Sequence, residues 1–116
     1  MTRINYDNKT FVSVQNSETG EVGAQTHFYY RQQDDLVWAE YAGGWIRFGS
    51  LIAKVTDDDC LEMRYQHLNE KGKLMTGKCF STPEILADGR IRLFEKWQWT
   101  SGDCSEGASI VEEIIG

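Results

Sequence analysis

The sequence predicts an all-β fold: a single antiparallel up-and-down meander barrel of about eight strands. Three observations point to it. Short runs alternate apolar and polar residues, turns rich in Gly, Asp and Asn break them at near-regular intervals, and the whole chain has one proline. No window long enough for a stable helix keeps an apolar stripe at the 3.6-residue period.

The first strand is expected from Thr10 to Gln15, ended by the turn Asn16-Ser17-Glu18-Thr19-Gly20. The second runs from Val22 to Gln32 and stops at Gln33-Asp34-Asp35. Leu36 to Ala42 forms the third, and Gly43-Gly44 supplies the positive φ of a tight hairpin. A long fourth strand follows from Trp45 to Thr56, closed by Asp57-Asp58-Asp59. The fifth, Cys60 to Asn69, turns at Glu70-Lys71-Gly72-Lys73 into the sixth, Leu74 to Ser81. After Pro83 the chain reads as irregular up to the turn Ala87-Asp88-Gly89. Arg90 to Thr100 is the seventh strand, and Ser101 to Gly107 is a loop. Ala108 to Ile115 is the eighth, its β-branched tail favouring a strand over a helix.

Connections this short make neighbouring strands antiparallel. An open sheet of that size would leave two unpaired edges, whereas closure leaves an interior wide enough for side chains or one small ligand. A two-sheet sandwich is the alternative arrangement.

The 116 residues fit one β-barrel domain spanning 1–116, with no room for a second. A hydrophobic fraction of 41% and a charged fraction of 26% are those of an ordinary globular domain, and 12% aromatic content, with four Trp, suits strands and pockets. The net charge of −6, with Lys and Arg scattered among acids, argues against a nucleic-acid partner. Cys60, Cys79 and Cys104 are odd in number and widely spaced, so they read as buried or half-buried free thiols. The N-terminus lacks the roughly seven apolar residues of a secretory signal, and no run approaches the roughly 20 needed to span a bilayer. A cytoplasmic location away from membranes is therefore expected. A homo-oligomer is compatible with the sequence without being indicated by it.

Alternation assigns faces, although one bulge would flip the rest of a strand. Leu61, Met63, Tyr65 and His67 share the inward face of the fifth strand; Ile91, Leu93, Glu95, Trp97 and Trp99 share that of the seventh. Val37, Ala39 and Tyr41 point inward from the third, and Met75, Gly77 and Cys79 from the sixth. Small residues at Ala39, Gly49, Ala53, Gly77 and Cys79 leave volume unless large rings fill it.

His67 and Glu95 are polar groups on an apolar interior, where an unpaired ionised group is costly. Beside one another they would form an acid–base pair or orient a polar ligand; the plainer account is a satisfied buried pair. One strand apart, they sit roughly 9–10 Å from each other in the sheet, so contact needs both side chains to lean. Trp38, Trp45, Tyr65, Trp97 and Trp99 resemble a pocket lining, though a packed core uses the same residues. The run Asp57-Asp58-Asp59 lacks the spacing of a calcium loop and reads as a solvated turn. No phosphate-cradling glycine motif or GxSxG elbow occurs, so neither a cofactor nor a metal is expected.

The runs MRYQHLNEKGKLMTGKCFSTPEIL and RIRLFEKWQWTSGDCSEG, preceded by VWAEYAGGWIRFGSLIAKV, resemble a small family of uncharacterised bacterial proteins often carried under the label N-acetylglutamate synthase. The resemblance extends from about Ile4 to Ile114 and implies no established active site. The label implies acetyl transfer, which in enzymes of that type uses a Q/R-x-x-G-x-G/A loop at a helix N-terminus; no such string occurs in this chain. In shape alone the meander is similar to lipocalins, fatty-acid-binding proteins and the avidins.

Three functions follow as expectations. The first is a non-enzymatic barrel binding a small, partly apolar ligand in its lumen, lined by Tyr41, Tyr65, His67, Glu95, Trp97 and Trp99. The second is an enzyme of unknown reaction using the His67 and Glu95 pair. The third is a structural or interaction protein with a solidly packed barrel.

Overall fold

A computed structural model describes residues 4–115. Eight strands form in chain order: β1 (Lys9–Asn16), β2 (His27–Gln33), β3 (Leu36–Gly43), β4 (Ile46–Val55), β5 (Leu61–Asn69), β6 (Leu74–Ile85), β7 (Ile91–Trp99) and β8 (Glu106–Ile114). Each pairs antiparallel with the next, and β8 returns to pair with β1, closing the barrel. Closure satisfies the backbone groups that a sandwich or open sheet would leave at its edges.

The turns use the residues that tolerate their backbone. Gly43 and Gly44 take φ of 117° and 61° at the β3–β4 hairpin, and Asp34 and Asp59 take 55° and 63° at the opposite end of the barrel. Aspartate tolerates the left-handed region better than most side chains, which suits it to these positions.

Two expected boundaries move by four or five residues, and the eighth strand starts two residues early, at Glu106. The sixth strand does not stop at Ser81: β6 continues through Pro83 to Ile85, with Pro83 opposite Leu93 on β7. Its pairing with β5 ends at Ser81, so Pro83 has a strand on one side only, where its missing N–H leaves no ladder position empty. The second strand begins at His27 instead of Val22, and residues 17–26 form a long connection across the barrel mouth.

A bulge in β1 decides a side chain's direction. Pairing with β8 skips Val14, which is exposed, between Ser13 and Gln15. Phe11 and Ser13 point inward, and simple alternation would next turn Gln15 in; the extra residue brings Asn16 to the lumen instead.

The barrel is packed at one end and hollow towards the other. Tyr6, from the segment before β1, plugs the packed end: it is fully buried, its hydroxyl donates to the Asp59 carbonyl at 2.5 Å and its N–H donates to Gln32 Oε1 at 2.8 Å. Phe11, Tyr30, Val37, Leu61, Leu93 and Val111 fill the space above it, with the Phe11 and Tyr30 rings 4.7 Å apart. Burying one such side chain stabilises the fold by roughly 1.5–3 kcal/mol.

Candidate functional site

Every inward residue of β3, β5 and β7 near the 17–26 loop is large and aromatic or polar, and together they enclose a cavity. The centre of a water molecule can occupy about 50 Å³ of it. Tyr41, Tyr65, His67, Glu95, Trp97 and Trp99 all line this space. Trp38 and Trp45 do not: Trp38 lies opposite Ile52 on the outer face and Trp45 lies in the β3–β4 turn beneath the Lys71 ammonium. Trp38 has the opposite parity to Val37 and Ala39, which decides its direction.

The inward glycines do not leave the volume that their size suggests. Tyr41 pairs directly with Gly49, Tyr65 with Gly77 and Trp97 with Gly107. In each pair the ring lies flat over the glycine, so that a Cβ there would collide with it. Cross-strand glycines thus let three large rings fold against the wall and close most of the lumen, leaving a restricted cavity. The rings form a continuous belt, with centroid separations of 4.8 Å for Phe28–Tyr41, 5.7 Å for Tyr41–His67, 5.6 Å for His67–Trp99, 5.7 Å for Trp99–Tyr65 and 5.6 Å for Trp99–Trp97.

Asn16 at the end of β1 and the 17–26 connection cap this end. Trp97 Nε1 donates to Asn16 Oδ1 at 3.1 Å, and Trp99 Nε1 donates to the Thr19 carbonyl at 3.1 Å. Glu21 reaches down from the loop: His67 Nε2 lies 2.9 Å from its Oε1, and Asn69 Nδ2 is 3.2 Å from both of its oxygens. Thr26 Oγ1 donates to the Gly43 carbonyl at 3.0 Å and fixes the far end of the loop.

His67 is held from both sides. Its Nδ1 lies 3.0 Å from the Tyr41 hydroxyl, opposite the Glu21 contact. Burial lowers its pKa, against the raising effect of the Glu21 hydrogen bond and charge. The neutral ring fits this setting with Nε2–H donating to Glu21 and Tyr41 donating to Nδ1.

Glu95 sits elsewhere in the lumen. It accepts hydrogen bonds from Ser81 Oγ and Ser109 Oγ, both at 3.0 Å. Its remaining accessible surface opens into the cavity, and burial pushes its pKa up to about 6 despite the two serine hydrogen bonds. Burial also raises the Tyr30, Tyr41 and Tyr65 phenols and the Cys79 thiol, with the Glu95 charge adding to each. These groups are therefore neutral, and the Cys79 thiol is no nucleophile.

His67 and Glu95 thus do not form the expected pair: each is satisfied by other partners, His67 by Glu21 and Tyr41, Glu95 by two serines. Ser81 and Ser109 stand directly opposite Glu95 on the two flanking strands, while His67 is reached by Glu21 from the loop and by Tyr41 leaning over Gly49 from β3. Of the cysteines, Cys60 and Cys79 are buried, but Cys104 is exposed in the loop before β8, where its φ of 56° belongs to a turn.

Four residues in and around the cavity are missing from the sequence reading, two of them because alternation alone cannot reach them. Ser81 and Ser109 do follow the inward parity of Cys79 and Val111, so that signal was available. Asn16 needs the bulge, and Glu21 needs the loop to fold back over the mouth; nothing in the periodicity marks either.

The arrangement offers aromatic walls, two half-buried carboxylates and neutral hydrogen-bonding groups around one small space. No curated protein and no solved structure matches the chain. The family model described as "Avidin-like protein" matches residues 4–114, whereas the N-acetylglutamate synthase label finds no support in the match or in this barrel, whose described residues form no helix. From Ile4 to Ile114, then, the sequence match and the closed eight-stranded meander agree, and the chain belongs to the avidin-like family.

Proposed function

We propose that the protein binds a small, partly apolar molecule in its lumen. The observation that carries this reading is the cavity at the loop-capped end, where a belt of rings surrounds a space that the folded side chains do not fill. Flat rings supply apolar area at little entropic cost, and Glu95, His67 and Glu21 supply orienting hydrogen bonds. Membership of the avidin-like family supports the same use of the barrel interior. A molecule larger than the present cavity requires the 17–26 loop to swing outward, breaking the Glu21 contacts with His67 and Asn69.

The test is native mass spectrometry of protein purified gently from its host, followed by thermal denaturation with any ligand found and, separately, with biotin. A retained adduct, and a stabilisation of about 2.7 kcal/mol at a ligand concentration of 100 times Kd, are the expected results. A bare polypeptide mass, with a melting temperature that no small-molecule addition moves, would overturn the proposal.

A further inference from the structure

The charges around the cavity are one-sided. Its titratable lining consists of Glu21, Glu95 and His67, together with phenols and a thiol held neutral by burial, and neither Lys nor Arg appears among the described lining residues. Glu21 has His67 and Asn69 as partners. Among the described residues, Glu95 has two serine hydroxyls as partners, both neutral donors. A carboxylate so placed, behind low-dielectric walls, focuses a negative potential into the space it faces.

The walls of that space are ring faces and edges. Trp99 lies between Tyr65 and Trp97 at 5.7 and 5.6 Å, and His67 approaches Trp99 edge-on at 5.6 Å. Aromatic faces attract cations through their quadrupoles, most strongly where water is excluded. An anionic ligand would instead meet two carboxylates, and a neutral apolar one would leave Glu95 without a counter-charge.

We infer that the lumen selects a small organic cation, an alkylammonium or amidinium group surrounded by Tyr65, Trp97 and Trp99 with Glu95 as its counter-ion. This rests on the reading that the lumen holds a ligand and narrows its chemistry. The cation replaces the missing partner of Glu95, while the ring belt covers its carbon atoms.

Three compounds of nearly one shape separate charge from size: choline, 3,3-dimethylbutan-1-ol and 3,3-dimethylbutanoate. Titration calorimetry on the wild-type chain at pH 7.5 is expected to rank choline above the alcohol by at least about tenfold, with the carboxylate weakest. In Glu95→Gln the choline advantage is expected to fall to within about threefold of the alcohol, whose own affinity barely changes. The ranking is read on the wild-type chain and stands whether or not the variant folds. An alcohol or carboxylate that binds as tightly as choline overturns the cation inference and leaves the broader ligand reading intact, as does a choline preference that survives in a folded Glu95→Gln. Absence of heat with all three compounds also overturns the inference, while the adduct search by native mass spectrometry decides the broader reading separately.

Discussion

Glu95 is costly where it stands, and the cost has a sign that can be measured. Its folded pKa, about 6, lies above the ordinary 4.5, so the folded state holds this proton more tightly than the unfolded chain. Stability from this group is therefore lost as pH rises from about 4.5 through 6, a penalty of about 2 kcal/mol at neutral pH. His67 acts oppositely: its lowered pKa means that stability is lost as pH falls below 6.5. Because His67 is common to both proteins, Glu95→Gln isolates the carboxylate. The variant should be more stable than wild type by up to about 2 kcal/mol at pH 7.5 and indistinguishable near pH 4, as read by urea denaturation. A less stable variant at pH 7.5 would contradict this account. Gly77 gives a second residue-level test, since a methyl there collides with the Tyr65 ring. Gly77→Ala should lower stability by about 1–3 kcal/mol and push the ring into the cavity. Denaturation and near-ultraviolet circular dichroism read both effects; an unchanged spectrum and melting point would mean that the ring has another resting place.

At the scale of elements, the 17–26 loop and the β1 bulge shape the site more than any single strand does. The loop is secured largely by hydrogen bonds from His67, Trp99 and Asn16, so it is the part of the capped end that can open without dismantling the barrel. Glu21→Ala removes the acceptor that His67 and Asn69 share. The expected outcome is a loss of about 1–3 kcal/mol, with faster amide hydrogen exchange confined to the loop and unchanged protection in β4–β6. Exchange rates in the loop equal to those of the wild type would show that its other hydrogen bonds, from Trp99 to Thr19, Asn16 to Val22 and Thr26 to Gly43, suffice to hold it. β6 makes a related point: it tolerates Pro83 because it outruns β5, a fact of strand length that the proline by itself does not announce.

For the whole molecule, closure through β1–β8 pairing puts the barrel wall between Cys79 and solvent, while Cys60 is buried in the β4–β5 turn. Native protein should therefore react with a thiol reagent at Cys104 alone, and at all three cysteines after denaturation without reductant. Rapid native-state labelling of Cys79 would mean a barrel that opens readily, and that of Cys60 a loose β4–β5 turn.

The alternation of Leu61, Met63, Tyr65 and His67, and of Ile91 through Trp99, determined the strands, their inward faces and the aromatic content of the lumen. Those are consequences of a period of two residues, which is local and survives in the bare sequence. The partners of the inward polar groups were not local. His67 meets Glu21 across 46 positions of chain, Trp97 meets Asn16 across 81, and Glu95 meets Ser81 and Ser109 on the two strands flanking its own. Which of these comes within reach depends on a bulge, on the path of a ten-residue connection (17–26) and on rings lying over glycines. Tertiary packing alone decided them, because periodicity fixes the face on which a side chain emerges but not the neighbour that it finds there.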